Sequence, residues 1–302
     1  MVRLAGRPLL VLSARDLLRA AAAEKVLLVA LVAPAVPAIA GFVRAARDAD
    51  TPLLLVRPSG AAEEKGPEEE RDDTAFVEAA LKAAHELHFK GPLALLKEPP
   101  RAGSAVPDRE RVRREIDAGF TGVALAAGDA ASDARDAALA ATAVCQYELG
   151  LEVVALGGSA RAGYELAEQL RSRGAPPSAV RITGHQAAAG MPLEGVAISS
   201  ADETSDLSGL RQLVASGPFL RALLRSAPQS LLGELQSWAD EKGASLEEAA
   251  ARHQRLLRDL PAAEQEKLEA LCCFGAADLY ARAGVRHTGI RLAARVGMLQ
   301  ER

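Results

Sequence analysis

The apolar positions of this chain gather in short continuous runs, separated by longer amphipathic stretches. The runs fall at residues 26–32, 52–56, 92–97, 121–126, 151–156, 179–183 and 195–199. Runs this short and this evenly apolar predict parallel strands covered on both faces; half-exposed strands would alternate. Between them the period lengthens. Residues 36–48, 74–89, 108–118, 133–149 and 160–174 predict helices. In the helix 108–118, Val112 and Ile116 stand four apart on one face, and Gly119 supplies the stop. An opening helix over 13–24 has Ser13 as its cap and Leu17 and Leu18 on its apolar face.

Strand and helix alternate with connections of a few residues, which argues an all-parallel α/β fold. Seven strands are one short of a (β/α)8 TIM-like barrel. Either one strand is disguised, or the barrel is incomplete between Gly157 and Gly190; a doubly wound open sheet is the alternative. From Asp206 onward no strand pattern survives. Residues 216–224, 231–242, 245–257 and 262–283 are helix-like, broken by Pro228, Gly243 and Pro261. Ser245 and Glu248 have the spacing of a capping box. The expected organisation is a barrel over 1–205 and a C-terminal helical region over 206–302, larger than barrel closure needs. Helical hairpins of this kind commonly serve subunit contacts or bind a protein partner.

Composition narrows the function. The chain has 302 residues, 49% apolar and only 3% aromatic, so its core is aliphatic. A net charge of −4 argues against nucleic acid as the main partner. No run approaches the length of a membrane span. The N-terminus acquires Asp16 within an amphipathic helix and does not read as a secretory signal. Three cysteines, Cys145, Cys272 and Cys273, are unspaced for zinc and fit a reducing cytoplasm.

Several residues invite a chemical reading beside a plain one. Lys97 and Glu98 end a barrel strand, where catalytic residues of this fold gather. They fit a Schiff-base lysine with a carboxylate partner, or an ordinary strand exit with a local ion pair. Gly157, Gly158, Gly184, Ser199 and Ser200 follow strands and would offer amides to a phosphate; tight βα turns need the same glycines. His85 and His88 share a helix face but lack a third ligand. The charge run 63–73 reads as a solvated loop entering a helix. Arg282, Arg286, Arg291 and Arg295 make a basic face that is either solvated or meets the acidic 63–73 segment of another subunit.

One stretch carries a resemblance. Ile116-Asp117-Ala118-Gly119-Phe120-Thr121, with Val123 in step, resembles the fourth strand unit of the class II (metal-dependent) fructose- and tagatose-bisphosphate aldolases, and residues 8–205 follow that family's order of elements. The resemblance implies a barrel and an ancestral metal-assisted cleavage of a ketose bisphosphate. It places Glu98 at the family's catalytic aspartate and Pro99 at a metal-binding histidine. Ala126 falls on an acidic position, Val154 and Leu156 on carboxylate positions, and only His185 near a family histidine. A catalytic zinc wants about three protein ligands. The expectation is therefore a protein without metal or cofactor, its zinc-dependent activity lost, that acts in binding or assembly. The alternatives are a lyase using Lys97, Glu98 and His185, and a sugar-phosphate sensor using the glycine and serine loops.

Overall fold

The computed structural model describes residues 2–4, 7–33, 36–58, 67–99, 108–127, 134–155, 160–183, 196–199, 212–215 and 261–300, with a few isolated positions between 233 and 241. The helix-like stretches expected at 216–224, 231–242 and 245–257 lie outside these residues apart from those isolated positions.

A short antiparallel hairpin, β1 (Val2–Leu4) and β2 (Arg7–Leu9), leads into helix α1 (Ala14–Glu24). As its sequence demands, α1 starts at Ser13, whose side chain accepts a hydrogen bond from the Asp16 amide at 3.1 Å. Eight parallel strands then form one closed barrel. They are β3 (Leu28–Val32), β4 (Leu53–Arg57), β5 (Leu93–Lys97), β6 (Gly122–Ala127), β7 (Gly150–Ala155), β8 (Ala179–Thr183), β9 (Val196–Ser199) and β10 (Gln212–Ala215). Helices α2 (Ala38–Ala49), α3 (Pro67–Glu86), α4 (Asp108–Ala118), α5 (Ala134–Gln146) and α6 (Ala160–Ser172) alternate with the strands from β3 to β8. Helices α7 (Ala262–Arg282) and α8 (Gly289–Gln300) follow the barrel. The open-sheet alternative falls away.

The missing strand is β10. It lies beyond residue 205 rather than between Gly157 and Gly190, and it seals the barrel by pairing with both β9 and β3. The expected absence of strands after Asp206 is corrected accordingly. Four residues with Leu213 and Val214 as their only large apolar members give too short a run for periodicity to register.

Strand alternation divides the interior in two. Leu28, Ala30, Val32, Leu54, Val56, Ala94 and Leu96 join one buried cluster with Leu17, Leu18 and Ala21 of α1. These side chains fill the barrel, and α1 covers its N-terminal end, tied by the Ala14 amide donating to the Thr121 carbonyl at 3.1 Å. The other strand faces carry Val29, Leu31, Leu53, Leu55, Leu93 and Leu95, which pack against α2, α3 and α7. Val123, Leu125, Leu151 and Val153 do the same beneath α4, α5 and α6. Each fully buried Leu or Val contributes on the order of 1.5–3 kcal/mol.

The C-terminal helices are part of this packing. Helix α7 lies against α2 through Leu268, Cys272, Ala276 and Leu279. A Cβ added at Gly41 would run into the Glu269 carbonyl, so the two backbones touch where glycine alone fits. Helix α8 lies against α1, with Leu292 and Val296 in the same cluster as the barrel filling. Arg291 and Arg295 pair with Glu24 of α1 at 3.6 and 3.7 Å, and Arg282 with Asp278 of its own helix at 2.9 Å. Three of the four arginines expected on a free basic face thus have partners within the chain.

Candidate functional site

The strand ends at the C-terminal face are where chemistry would sit in this fold. Strand β5 delivers the two residues singled out from the sequence. Lys97 has the parity of Leu93 and Leu95, which face the helix layer, and it is 3% exposed. Its Nζ lies 2.7 Å from Asp73 Oδ2 of α3 and 4.0 Å from Glu115 Oε1 of α4. The next residue, Glu98, follows the end of β5 and is half-buried. Its amide donates to the Arg57 carbonyl at 2.9 Å, which fixes the strand exit. Lys97 thus has Asp73 and Glu115 as carboxylate partners and is buried beneath the helix layer.

Lys97 belongs to a buried cluster of six charges. Arg57 at the end of β4 pairs with Asp73, which also receives Lys97. Arg111 of α4 bridges Glu115 at 2.6 Å and Asp108 at 3.1 Å, and donates to the Ala124 carbonyl of β6 at 2.9 Å. The three cations and three carboxylates balance, as buried charges must if they are to stay ionised. Burial pushes the Glu115 carboxyl above its ordinary range, outweighing the opposing pull of Arg111 and Lys97. Burial lowers Arg111, but Glu115 and Asp108 outweigh it and hold the guanidinium charged.

The cluster was not anticipated. Asp73 closes a charge run that reads as solvated, yet it is 3% exposed. A signal was present in α4: Asp108, Arg111 and Glu115 recur at helical spacing on the side that carries the apolar Val112. The recognised hexapeptide is also structural. Asp117 is surface-exposed beside Arg113. Gly119, at φ +100°, ends α4. Phe120 stacks on Phe76 with ring centroids 6.0 Å apart, and Thr121 Oγ1 accepts from the Leu95 amide at 2.9 Å.

The divalent metal that the resemblance implies would need donors at these strand ends. Strand β5 exits through Glu98 and the buried Pro99; near their ends β6 and β7 offer Ala126 and Val154, of parity opposite to the helix-facing Leu125 and Val153. One carboxylate among these positions does not make the roughly three ligands a catalytic metal needs. No group of three His, Cys, Asp or Glu among the described residues is placed to hold a metal ion. Glu152, deeper in β7 and 2% exposed, has the parity opposite to Leu151 and Val153, and the sequence does not single it out because it stands three residues before the strand's end. Gly157, Gly158, Gly184, His185 and Ser200 lie outside the described residues; Ser199 is the last residue of β9, paired in register with Thr183. Cys272 is buried, and burial pushes its thiol up to about 12, which leaves it inert near neutrality.

No family model matches the chain, and no curated protein matches it in sequence. Among solved structures it is similar to the YdjI aldolase of Escherichia coli K12, with 12% identity and a TM-score of 0.58 over 93% of this chain and 100% of that one. It is also similar to a provisional fructose-1,6-biphosphate aldolase of Coccidioides immitis, with 12% identity and a TM-score of 0.58 over 91% of this chain and 96% of that one. At this identity the likeness speaks to architecture: the chain has an aldolase-like (β/α) barrel with added C-terminal helices.

Proposed function

We propose that this chain is an aldolase-fold protein that has lost metal-dependent cleavage and acts as a binding or assembly protein through the helices that follow its barrel. The observation that carries the reading is the chemistry of the strand ends: Pro99, Ala126 and Val154 stand at positions where the resemblance calls for metal ligands or carboxylates. The position of Lys97 supports it, because a Schiff base needs an amine open to substrate, whereas this Nζ is buried between Asp73 and Glu115. Exposed Phe274 on α7 and Ile290 on α8, 77% and 69% accessible, supply apolar contact area for a partner. The test is an assay of the full chain with ketose bisphosphates, with and without added zinc. No cleavage under either condition is expected. Zinc-dependent turnover would end the reading.

A second reading rests on Glu98, which keeps a half-buried carboxylate at the exit of β5. A sugar phosphate bound there, with His185 and the loops at Gly157, Gly158, Gly184, Ser199 and Ser200, would make the protein a lyase of altered machinery or a sensor. A thermal shift with sugar phosphates, abolished by Glu98→Ala, is its signature. Borohydride trapping that depends on Lys97 would revive the Schiff-base form.

A further inference from the structure

Helix α7 has two faces. Leu268, Cys272, Ala276 and Leu279 are spent against α2. On the opposite side, Glu266, Ala270, Phe274, Asp278 and Arg282 form a continuous row at four-residue spacing, every member exposed. Phe274 stands at its centre with 77% of its surface accessible. Ala263, Ala277 and Ala281 flank it with small side chains that allow another helix close approach. A row of this kind is the ridge that packs into the groove beside the same ridge of a second helix, crossing at about −50°.

We propose that the occupant of this face is a second copy of the chain, packed ridge beside ridge, antiparallel, about a two-fold axis at Phe274. The proposal rests on the assembly reading above and names its partner. Charge selects both the copy and the direction. Two-fold pairing centred on Phe274 sets residue n against residue 548 − n, so Glu266 meets Arg282 of the other copy, twice per dimer. A parallel pairing would set Glu266 on Glu266 and Arg282 on Arg282. The N-terminal half of α7 carries Glu264, Glu266, Lys267 and Glu269; the C-terminal half carries Asp278 and Arg282. Antiparallel pairing therefore lays an acidic half against the half that ends in a cation. Arg282 already reaches Asp278 at 2.9 Å in its own helix, which holds the guanidinium on this surface. The two Phe274 rings meet at the axis, the central apolar anchor such an interface requires.

Sedimentation velocity on the full chain over a range of concentrations tests this. A dimer is expected. Phe274→Asp raises its dissociation constant by about thirtyfold with unchanged circular dichroism, since this side chain lies outside the core. Glu266→Arg and Arg282→Glu, each alone, raise it by about fivefold. The two together restore association. Within one helix these residues stand about 24 Å apart, so a rescue can only act between copies. A chain that is monomeric throughout, a dimer indifferent to Phe274→Asp, or a double swap without rescue would overturn the proposal. The metal-free reading is judged separately by the cleavage assay.

Discussion

The two sides of the barrel wall differ sharply. Toward the barrel interior, the described parts of β6 and β7 present Ala124, Ala126, Glu152 and Val154, and Glu98 and Pro99 follow β5. Toward the helices, the ends of β4 and β5 present Arg57 and Lys97, held by Asp73 of α3 and Glu115 of α4, and Arg111 joins Glu115 to Asp108. In a barrel built for metal chemistry the donors belong inside, where substrate arrives. Here, among the described residues, six buried ionisable groups lie outside, between layers, where they join elements together, and Glu152 stands on the inward parity. Burial and titratability therefore do not identify a site unless the direction of the side chain is known.

This contrast is broken most severely at its hub. Asp73→Ala leaves Arg57 and Lys97 buried without their shared carboxylate and should cost about 3–5 kcal/mol in urea unfolding. Glu98→Ala, one position beyond Lys97 but not among the six charges of that cluster, should leave the unfolding midpoint nearly in place. Equal losses from both would erase the distinction drawn between the cluster and the strand exit. Next is the purely steric Gly41→Ala. Its new methyl meets the Glu269 carbonyl, forcing α7 off α2 at about 1–3 kcal/mol. A neutral result would mean that α7 is not seated on the barrel as described.

A titration sharpens the same picture. With the Glu115 carboxyl raised above its reference of 4.5 by burial, the folded state binds the proton more tightly than the unfolded chain. Stability contributed by that protonation is present at the acid end and is lost as pH rises from the unfolded pKa through the folded one. Glu115→Gln should flatten this limb of the stability-versus-pH curve; an unchanged slope would place the titration elsewhere. The smallest effect is expected at Asp117, the acidic residue of the recognised hexapeptide. Its side chain is 71% exposed beside Arg113, so Asp117→Ala should shift stability by no more than about 0.5 kcal/mol.

The sequence was most informative where the physics is local and repetitive. Seven apolar runs became strands within a residue or two of their expected limits, because parallel strands buried on both faces leave an unbroken signature. β10 escaped notice because four residues carry too little pattern, and it is recognisable only by its pairing with β9 and β3. The role of α7 was hidden for a related reason. A helix that covers the barrel and a helix that forms an appendage have the same periodicity, and only the contact at Gly41 tells them apart. At the candidate site, the scarcity of donors could be read from Pro99, Ala126 and Val154. The direction of Lys97 could not, because one residue of strand register decides between mouth and helix layer.

Metal content tests the central claim most directly. The full chain, purified after exposure to excess zinc and dialysed free of loose ions, would be assayed by elemental analysis against its protein concentration. The account predicts zinc far below one equivalent per chain. A stoichiometric ion that withstands dialysis and is released by replacing His185 or Glu98 would contradict it.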